Sequence, residues 1–435
     1  MKIIIFIRHF NDFDNVLPIV DYLIRVKRQK DIEIYGSRED DYLKCNKHFE
    51  YVTSVLGNNV KSFIDTHITK RDEFLLKIIN RVKEITAPKN KTIKFIFDIF
   101  IINLIRFINL FVGNSIKRFV ASLPDKAVIL VDFGTEGGFP YKYLIQYCHK
   151  RQVNILAYLH GYSIYSNVDS YHSKKPILND RLNRFVQKFI FGKYSNGQYD
   201  KYLVGPQQKE TYFKSSNFNG FSAHSRIIEI GLPRYTKEWI SRFVKQGSVY
   251  DSVSVLKAKF DKYDTGGRTN VTLFTSHSRF NVDENKINET IEMLVSCKSI
   301  NLTIKIHTRS NAPKIIRDNF SKFSKYLCDY DSSEIIEWAD IGIVYGTSMS
   351  IQMLVEGLVV VVPSYIDSNR TILEDNKVCV NAYSLEYMHN FLLNYPDVEN
   401  IPDKDSIDSF VKKIVYGNKN TYEELMDEFC YFLDE

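Results

Sequence analysis

Short apolar runs recur along the chain, and most precede a stretch in which apolar residues return about every three or four positions. The run AVILVDFG at 127–134 precedes YKYLIQYCHKRQ, and the run at 270–276 precedes ENKINETIEMLVSC. Strands that alternate with helices in this way predict parallel sheets covered on both faces. The predicted strands fall at 3–9, 33–36, 127–134, 154–161, 201–205, 226–231, 270–276, 302–307, 341–346, 359–363 and 377–383.

The strands form two series, separated by residues 244–270, in which Gly-Ser and Asp-Thr-Gly-Gly are turn signals typical of a linker. We therefore predict an α/β fold of two Rossmann-like, doubly wound parallel-sheet domains that face a central cleft. The predicted domains span 1–245 and 246–405, and two short helices at 406–435 pack back across them. Ligands of such sheets bind outside the carboxyl ends of the strands.

Composition indicates an ordinary globular chain, with 44% hydrophobic and 25% charged residues in 435. The six cysteines lie far apart with no CxxC pair, which argues against a zinc cluster or a disulfide scaffold and suits a reducing compartment. The first apolar run is too short for a signal peptide. We expect a cytoplasmic protein.

The formal charge of +6 is concentrated in one region. Between Lys61 and Arg118, twelve Lys and Arg oppose five Asp and Glu, so the rest of the chain is close to neutral. An apolar stretch at 93–112 lies inside this predicted helical insertion, 61–120, but charged residues interrupt it and it is too short to span a bilayer. Two interpretations stay open: a core helix beside a solvated basic surface, or a helix that rests on the anionic inner face of the membrane.

In the second half, the segment VYGTSMS follows a predicted strand and precedes a predicted helix. Gly346 lets the chain turn, Thr347 and Ser348 occupy N-cap positions, and Ser350 follows one turn into the helix. Free backbone N–H groups, the helix dipole and these hydroxyls predict an anion site. The alternative is a plain helix cap.

Two further strand ends of this half carry similar groups. His307 ends a predicted strand and Arg309 follows it, while Ser276 and Arg279 follow another. Together with the VYGTSMS segment, these loops predict a pocket for the phosphates of a nucleotide. The GxxxxGK[ST] pattern of a P-loop does not occur.

In the first half, Asp132 lies at the end of a predicted strand, and Glu136 comes just after it, next to Gly137 and Gly138. The glycines admit a ligand close to the backbone, and a carboxylate there is a candidate general base or nucleophile. His160 ends the next predicted strand and is a further candidate. Turn formation and helix capping are the alternatives for each residue.

Three more residues are expected near the cleft. Arg234 follows a rigid proline in IGLPRY. His9 ends the first predicted strand and Asn11 comes just after it, on the side expected to bind the acceptor.

The chain resembles bacterial GT-B glycosyltransferases of surface polysaccharide assembly (capsule, O-antigen, lipopolysaccharide). It is also similar to their relatives among Kdo transferases, CMP-sialic acid transferases and teichoic-acid glycerophosphotransferases. The features that carry the resemblance are EGG at 136–138, HG at 160–161, GLPRY at 231–235, KIHTR around 307 and the segment 337–363.

In the CMP-sugar branch, the resemblance implies Glu136 as the base or nucleophile on the acceptor side, and His307, Thr347 and Ser348 as contacts to the nucleotide phosphate. That branch has a His-Pro pair where this chain has Thr308 after His307, which weakens the CMP assignment. In the polyol-phosphate branch, the resemblance implies His160 and His307.

We therefore expect a transferase that moves a sugar from a nucleotide donor, for example CMP-Kdo or CMP-sialic acid, to a surface glycan or lipid-linked acceptor. No metal or other cofactor is expected, and nucleic acid is not an expected partner because no binding motif occurs. The alternatives are a CDP-glycerol or ribitol phosphate transferase, an enzyme like UDP-sugar 2-epimerases, and a non-enzymatic nucleotide-binding protein.

Overall fold

The structure is a computed structural model of the chain. It describes residues 1–8, 10–36, 47–58, 60–84, 113–132, 140–158, 161–167, 198–210, 226–245, 267–275, 282–307, 312–328, 330–367 and 369–434.

The first half of the chain forms a seven-stranded sheet in the order β3-β2-β1-β4-β5-β6-β7, and every neighbouring pair is parallel. Its strands are β1 (Lys2–Ile7), β2 (Ile32–Gly36), β3 (Val60–Ser62), β4 (Ala127–Asp132), β5 (Asn154–Tyr158), β6 (Lys201–Val204) and β7 (Ile227–Glu229). Its helices are α1 (Phe10–Arg25), α2 (Lys47–Glu50), α3 (Phe63–His67), α4 (Lys70–Glu84), α5 (113–121), α6 (Tyr141–Arg151) and α7 (Lys237–Ile240).

The second half forms a five-stranded parallel sheet in the order β12-β11-β10-β8-β9. Its strands are β8 (Thr269–Phe274), β9 (Ile300–Lys305), β10 (Ile341–Val344), β11 (Val359–Pro363) and β12 (Val380–Ala382). Its helices are α8 (Glu284–Ser296), α9 (Lys314–Asp318), α10 (Phe320–Phe323), α11 (Ser332–Trp338), α12 (Met349–Glu356), α13 (Ile372–Asp375) and α14 (Leu385–Asn394), and α15 (Lys404–Ile414) and α16 (Tyr422–Asp434) follow.

Both faces of the sheets are covered, which explains the continuous apolar runs of the sequence. Ile3, Ile5 and Ile7 of β1 belong to one core cluster, while Ile4 and Phe6 point to the opposite face and belong to another. Since successive side chains of a strand alternate, a strand packed on both faces must be apolar at every position. The predicted fold of two parallel-sheet α/β domains is confirmed.

The differences from the sequence prediction lie at strand ends and edges. Several runs end earlier than predicted, as β9 ends at Lys305 and β10 at Val344. The sequence did not predict β3, because an edge strand of three residues with a central lysine has no apolar run.

The two C-terminal helices pack against different cores. Phe410 and Ile414 of α15 join a cluster that contains residues of both halves, most of them from the second, whereas Leu425, Met426 and Phe429 of α16 join a cluster of the first. The chain thus returns to its N-terminal half, and residues 246–266 of the predicted linker lie outside the described residues, so the domain boundaries stay predictions.

The predicted apolar helix at 93–112 also lies outside the described residues. Among the helices that the structure describes, none combines the length and apolarity needed to cross a bilayer.

Candidate functional site

The junction between β10 and α12 is built from a turn and a capped first helical turn. Gly346 has a positive φ of 71°, a conformation that costs glycine little and other residues more. The Thr347 hydroxyl accepts a hydrogen bond from the Met349 N–H at 3.3 Å, and the Ser350 hydroxyl donates to the Thr347 carbonyl at 2.9 Å. These local bonds fix the start of α12.

Ser350 therefore serves the helix itself. Its side chain is buried and its hydroxyl is used by the Thr347 carbonyl. That Ser350 also contacts a donor stays a prediction.

Ser348 connects the junction to the other half of the molecule. It is the N-cap residue of α12, but its hydroxyl makes no capping bond. Instead it accepts a hydrogen bond at 2.9 Å from the phenol of Tyr235, in a short 3₁₀ helix, Pro233–Tyr235. Because this hydroxyl is an acceptor toward Tyr235, its own proton is still available to a ligand. Sequence reasoning missed Tyr235, although it follows a residue that was singled out.

Arg234 lies at the same place. Its Nη2 atom is 3.1 Å from a carboxylate oxygen of Asp14 and 3.9 Å from the sulfur of Met349, the first residue of α12. The centre of its guanidinium lies 4.7 Å from the ring of Tyr235. The prediction placed Arg234 near the cleft, and the structure puts it beside the start of α12.

Asp14 belongs to a small charged cluster with Arg234. His48 lies 2.9 Å from its second oxygen, and the imidazole stacks on the ring of Phe243. Burial alone would raise the pKa of the Asp14 carboxyl, but the charges of His48 and Arg234 outweigh it and hold that pKa below its usual value. Asp14 is therefore ionised at neutral pH and holds Arg234 in position.

His307 follows β9 at the same sheet edge. Its backbone N–H donates to the Thr275 hydroxyl at 3.0 Å, and the Thr275 N–H donates to the Lys305 carbonyl at 3.0 Å. These bonds join the ends of β8 and β9, and β8 lies between β9 and β10. His307 and the Thr347–Ser348 pair are therefore two strands apart at the carboxyl edge of one sheet.

In the first half, Asp132 is the last residue of β4 and is fully buried. Its carboxylate lies 3.3 Å from the guanidinium of Arg8, which follows β1, the neighbouring strand. About a third of the Arg8 side chain (30%) is exposed. Asp132 therefore holds a cation at the edge of the sheet. Sequence reasoning missed Arg8, which lies one residue before a predicted site residue.

The remaining predicted site residues stay predictions. Those outside the described residues are His9, Glu136, Gly137, Gly138, His160, Ser276, Arg279 and Arg309. Asn11 lies in the first turn of α1, and only its backbone is described.

The segment after His160 contacts the second half directly. The Ile372 N–H donates to the Ile164 carbonyl at 2.8 Å, and the Tyr165 phenol donates to Asp367 at 2.7 Å. Burial raises the pKa of the Asp367 carboxyl, since the hydrogen bonds from Tyr165 and Asn369 offset it only in part. The two halves therefore touch at this segment as well as at Tyr235.

No group of three His, Cys, Asp or Glu side chains with the arrangement of a metal site occurs among the residues that the structure describes.

No protein-family model and no curated protein sequence matches the chain. Solved structures do match. A UDP-GlcNAc 2-epimerase from Neisseria meningitidis bound to UDP-GlcNAc aligns at a TM-score of 0.52 and 10% identity, over 95% of this chain and 99% of that one.

The wall teichoic acid polymerase TagF, in a variant soaked with CDPG, aligns at a TM-score of 0.51 and 10% identity, over 99% of this chain and 89% of that one. Arabidopsis thaliana UGT89C1 complexed with UDP-L-rhamnose aligns at a TM-score of 0.51 and 9% identity, over 100% and 99%. At such low identity these likenesses show the fold alone: two parallel-sheet domains in the GT-B arrangement.

Proposed function

We propose that the chain is a glycosyltransferase that takes a sugar from a nucleotide-activated donor. The observation that carries the proposal is the Tyr235–Ser348 hydrogen bond, with Arg234 beside it. It brings a hydroxyl-rich helix start from one domain and a cation from the other to the same point of the cleft. A nucleoside diphosphate or monophosphate has the anionic oxygens that hydroxyl groups, a helix N-terminus and a cation bind together.

The proposed donor site favours departure of the nucleotide. Negative charge develops on the leaving phosphate as the sugar is transferred, and preorganised donors stabilise it. Thr347, Ser348 and the N–H groups of the first turn of α12 supply neutral donors, and Arg234 supplies charge. His307, with Arg309, Ser276 and Arg279, is proposed to complete the site from the neighbouring strand ends.

The acceptor is proposed to bind on the first domain, where a base would activate its hydroxyl. The buried ion pair of Asp132 with Arg8 leaves that carboxylate poorly placed to meet an acceptor. We therefore propose Glu136 or His160 for this role, and the glycines at 137 and 138 as the backbone that admits the acceptor.

A surface glycan or a lipid-linked glycan is the proposed acceptor, and the basic region 61–120 is the proposed contact with the membrane. CMP-, CDP- and UDP-linked donors all suit the phosphate contacts described above. A polyol-phosphate transferase or an epimerase would use the same anion site, so the experiment must separate reactions as well as nucleotides.

The test is a thermal-shift panel with CMP, CDP, UMP, UDP and GDP on the purified chain. A nucleotide that binds the folded state raises the melting temperature. We expect one or two of them to do so, and the rise to be lost in Ser348→Ala. Ser296→Ala, which alters an exposed serine of α8, is the matched control and should keep the rise.

The nucleotide that binds then selects the donors for turnover assays with and without acceptor. Transfer of a sugar to an acceptor supports the proposal. Turnover without any acceptor would favour an epimerase, and consumption of a CDP-polyol would favour a polyol-phosphate transferase. If no nucleotide stabilises the wild-type chain, the donor-site proposal is wrong.

A further inference from the structure

A cavity of about 630 Å³ opens between α4 and α5 in the first domain. Arg71 and Asp72 line it from α4, and Asn114, Lys117 and Arg118 line it from α5. None of these residues belongs to the donor and acceptor sites described above.

The cations of this cavity are accessible to solvent, whereas its carboxylate is not. Arg71, Lys117 and Arg118 are all exposed, while Asp72 is only 5% exposed. The Ser115 hydroxyl donates to the Asp72 carboxylate, and Arg118 donates to the Ser115 hydroxyl at 3.2 Å. Among the described residues that line the cavity, Asp72 is the one acid and lies below the rim, and three cations surround the opening.

The helix that carries Lys117 and Arg118, α5, is anchored in the hydrophobic core. Ile116, Phe119 and Val120 of α5 are buried in the core cluster that covers one face of the sheet. Lys117 and Arg118 lie between these anchors on the outer side, so the core determines where their charges are presented.

An exposed aromatic residue lies next to the cavity along α4. Phe74 is 63% exposed, and it follows Arg71 by three positions, so the two side chains lie on one face of the helix. Ile78 and the exposed Arg81 continue this face at the next turn. Basic and apolar side chains on one solvent-facing stripe are typical of a helix that lies on a membrane surface.

We infer that the cavity between α4 and α5 binds the phosphate of an anionic lipid headgroup, with Phe74 entering the apolar layer beside it. The three cations outweigh Asp72, so the cavity carries a net positive charge that attracts the single negative charge of a phosphodiester, and guanidinium groups suit its oxygens. A lipid is favoured over free phosphate because only a lipid gives the exposed Phe74 an apolar environment. The inference rests on the proposed function only for its purpose, which is to keep the enzyme near a lipid-linked acceptor.

The experiment is co-sedimentation of the full chain with vesicles, with no nucleotide present. We expect binding to phosphatidylglycerol–phosphatidylcholine vesicles and little binding to phosphatidylcholine alone. The triple variant Arg71→Gln, Lys117→Gln, Arg118→Gln should bind the anionic vesicles on the order of 100-fold more weakly, since each basic residue near such a surface contributes about fivefold.

The control triple variant is Lys298→Gln, Lys314→Gln, Arg317→Gln, which removes three exposed cations of the second domain. It should bind like the wild type, and a loss equal to that of the first variant would show a charge effect without a site. Melting temperature and circular dichroism establish that both variants fold.

Phe74→Ser separates a lipid from other anions. It should weaken vesicle binding but leave unchanged any thermal shift caused by inorganic phosphate. Equal vesicle binding by the wild type and the first triple variant would overturn the inference. So would tight binding of RNA or phosphate by a chain that ignores anionic vesicles. None of these results depends on a donor site, so failure here leaves the proposed transferase activity to its own test.

Discussion

At the start of α12 the second domain presents neutral groups to the cleft, whereas the strand ends of the first domain present charged side chains that are held in ion pairs. Thr347 and Ser348 are hydroxyls at a helix start. Arg234 and Arg8 are cations fixed by Asp14 and Asp132. An anion beside Ser348 would therefore obtain hydrogen bonds from the second domain and counter-charge from Arg234 of the first, in addition to the charges proposed for Arg279 and Arg309.

The two domains can thus contribute to the free energy of binding in different ways. Neutral donors cost less to hold in a partly buried site than a bare charge does, and a cation is tolerated when a carboxylate pairs with it. Dividing the two kinds of group between domains means that the complete site exists only when the domains meet, as Tyr235 and Ser348 do here.

The largest effect is expected from removing the charge that the first domain supplies. Arg234→Met should weaken nucleotide binding by about 100-fold, because hydrogen bonds to charged groups contribute about 1.5–3 kcal/mol. Isothermal titration calorimetry with the nucleotide from the thermal-shift panel measures it. Arg317→Met, at an exposed residue of α9, is the control and should change nothing.

Asp14→Asn sharpens this prediction. It keeps the cation and removes the carboxylate that holds it, so we expect a smaller loss of affinity than in Arg234→Met. If Arg234→Met binds nucleotide as well as the wild type does, the counter-charge does not come from the first domain.

A smaller effect is expected from the turn on the neutral side. Gly346→Ala puts a side chain at φ 71°, which costs about 1–2 kcal/mol of folding stability. Urea denaturation followed by circular dichroism measures the free energy of unfolding. Gly161→Ala is a suitable control, since a Cβ built at Gly161 has no atom within 4 Å and its φ is not in that strained range. If Gly346→Ala and Gly161→Ala had equal free energies of unfolding, a side chain at residue 346 would not strain the backbone of the turn.

Removing the hydrogen bond between Tyr235 and Ser348, which joins the two domains, should have a modest effect. Tyr235→Phe keeps the ring and removes only the hydroxyl that donates to Ser348, so we expect a loss of about 1 kcal/mol in the free energy of unfolding. Nucleotide affinity should fall about threefold, because the Ser348 hydroxyl loses the partner that orients it. Calorimetry and urea denaturation on the same preparation measure both. A gain in affinity would mean that Tyr235 competes with the nucleotide for Ser348.

The smallest effect is expected from pH, and here two carboxylates, Asp14 of the first domain and Asp367 of the second, behave in opposite ways. The pKa of Asp14 is lowered, so its contribution to stability is present above its unfolded pKa of about 3.8 and is lost as the pH falls through its folded pKa. The pKa of Asp367 is raised, so folding is disfavoured by its charge above the folded pKa and recovers as the pH falls through it.

Melting temperatures between pH 7 and pH 3 for the wild type, Asp14→Asn and Asp367→Asn measure these contributions. Between pH 7 and pH 3, we expect the melting temperature of Asp14→Asn to fall less than that of the wild type. The melting temperature of Asp367→Asn should fall more. Parallel curves for all three proteins would show that neither carboxylate changes its pKa on folding.

The parallel sheets could be predicted from the sequence alone. A strand covered on both faces must be apolar at each position, and a helix that covers a sheet must have apolar residues about once per turn. The sequence also predicts that Gly346, Thr347 and Ser348 form a helix start, since turn and cap chemistry involve neighbours along the chain. A short polar edge strand such as β3 leaves no such trace and was missed.

Which of these side chains contact one another depends on the tertiary structure. Tyr235 and Ser348 lie 113 residues apart along the chain, and Arg234 pairs with an aspartate of the first helix. Such contacts depend on how the two sheets and their helices pack together. No pattern of neighbouring residues specifies that packing, so the partners of Arg234, Ser348 and Asp132 could be found only in three dimensions.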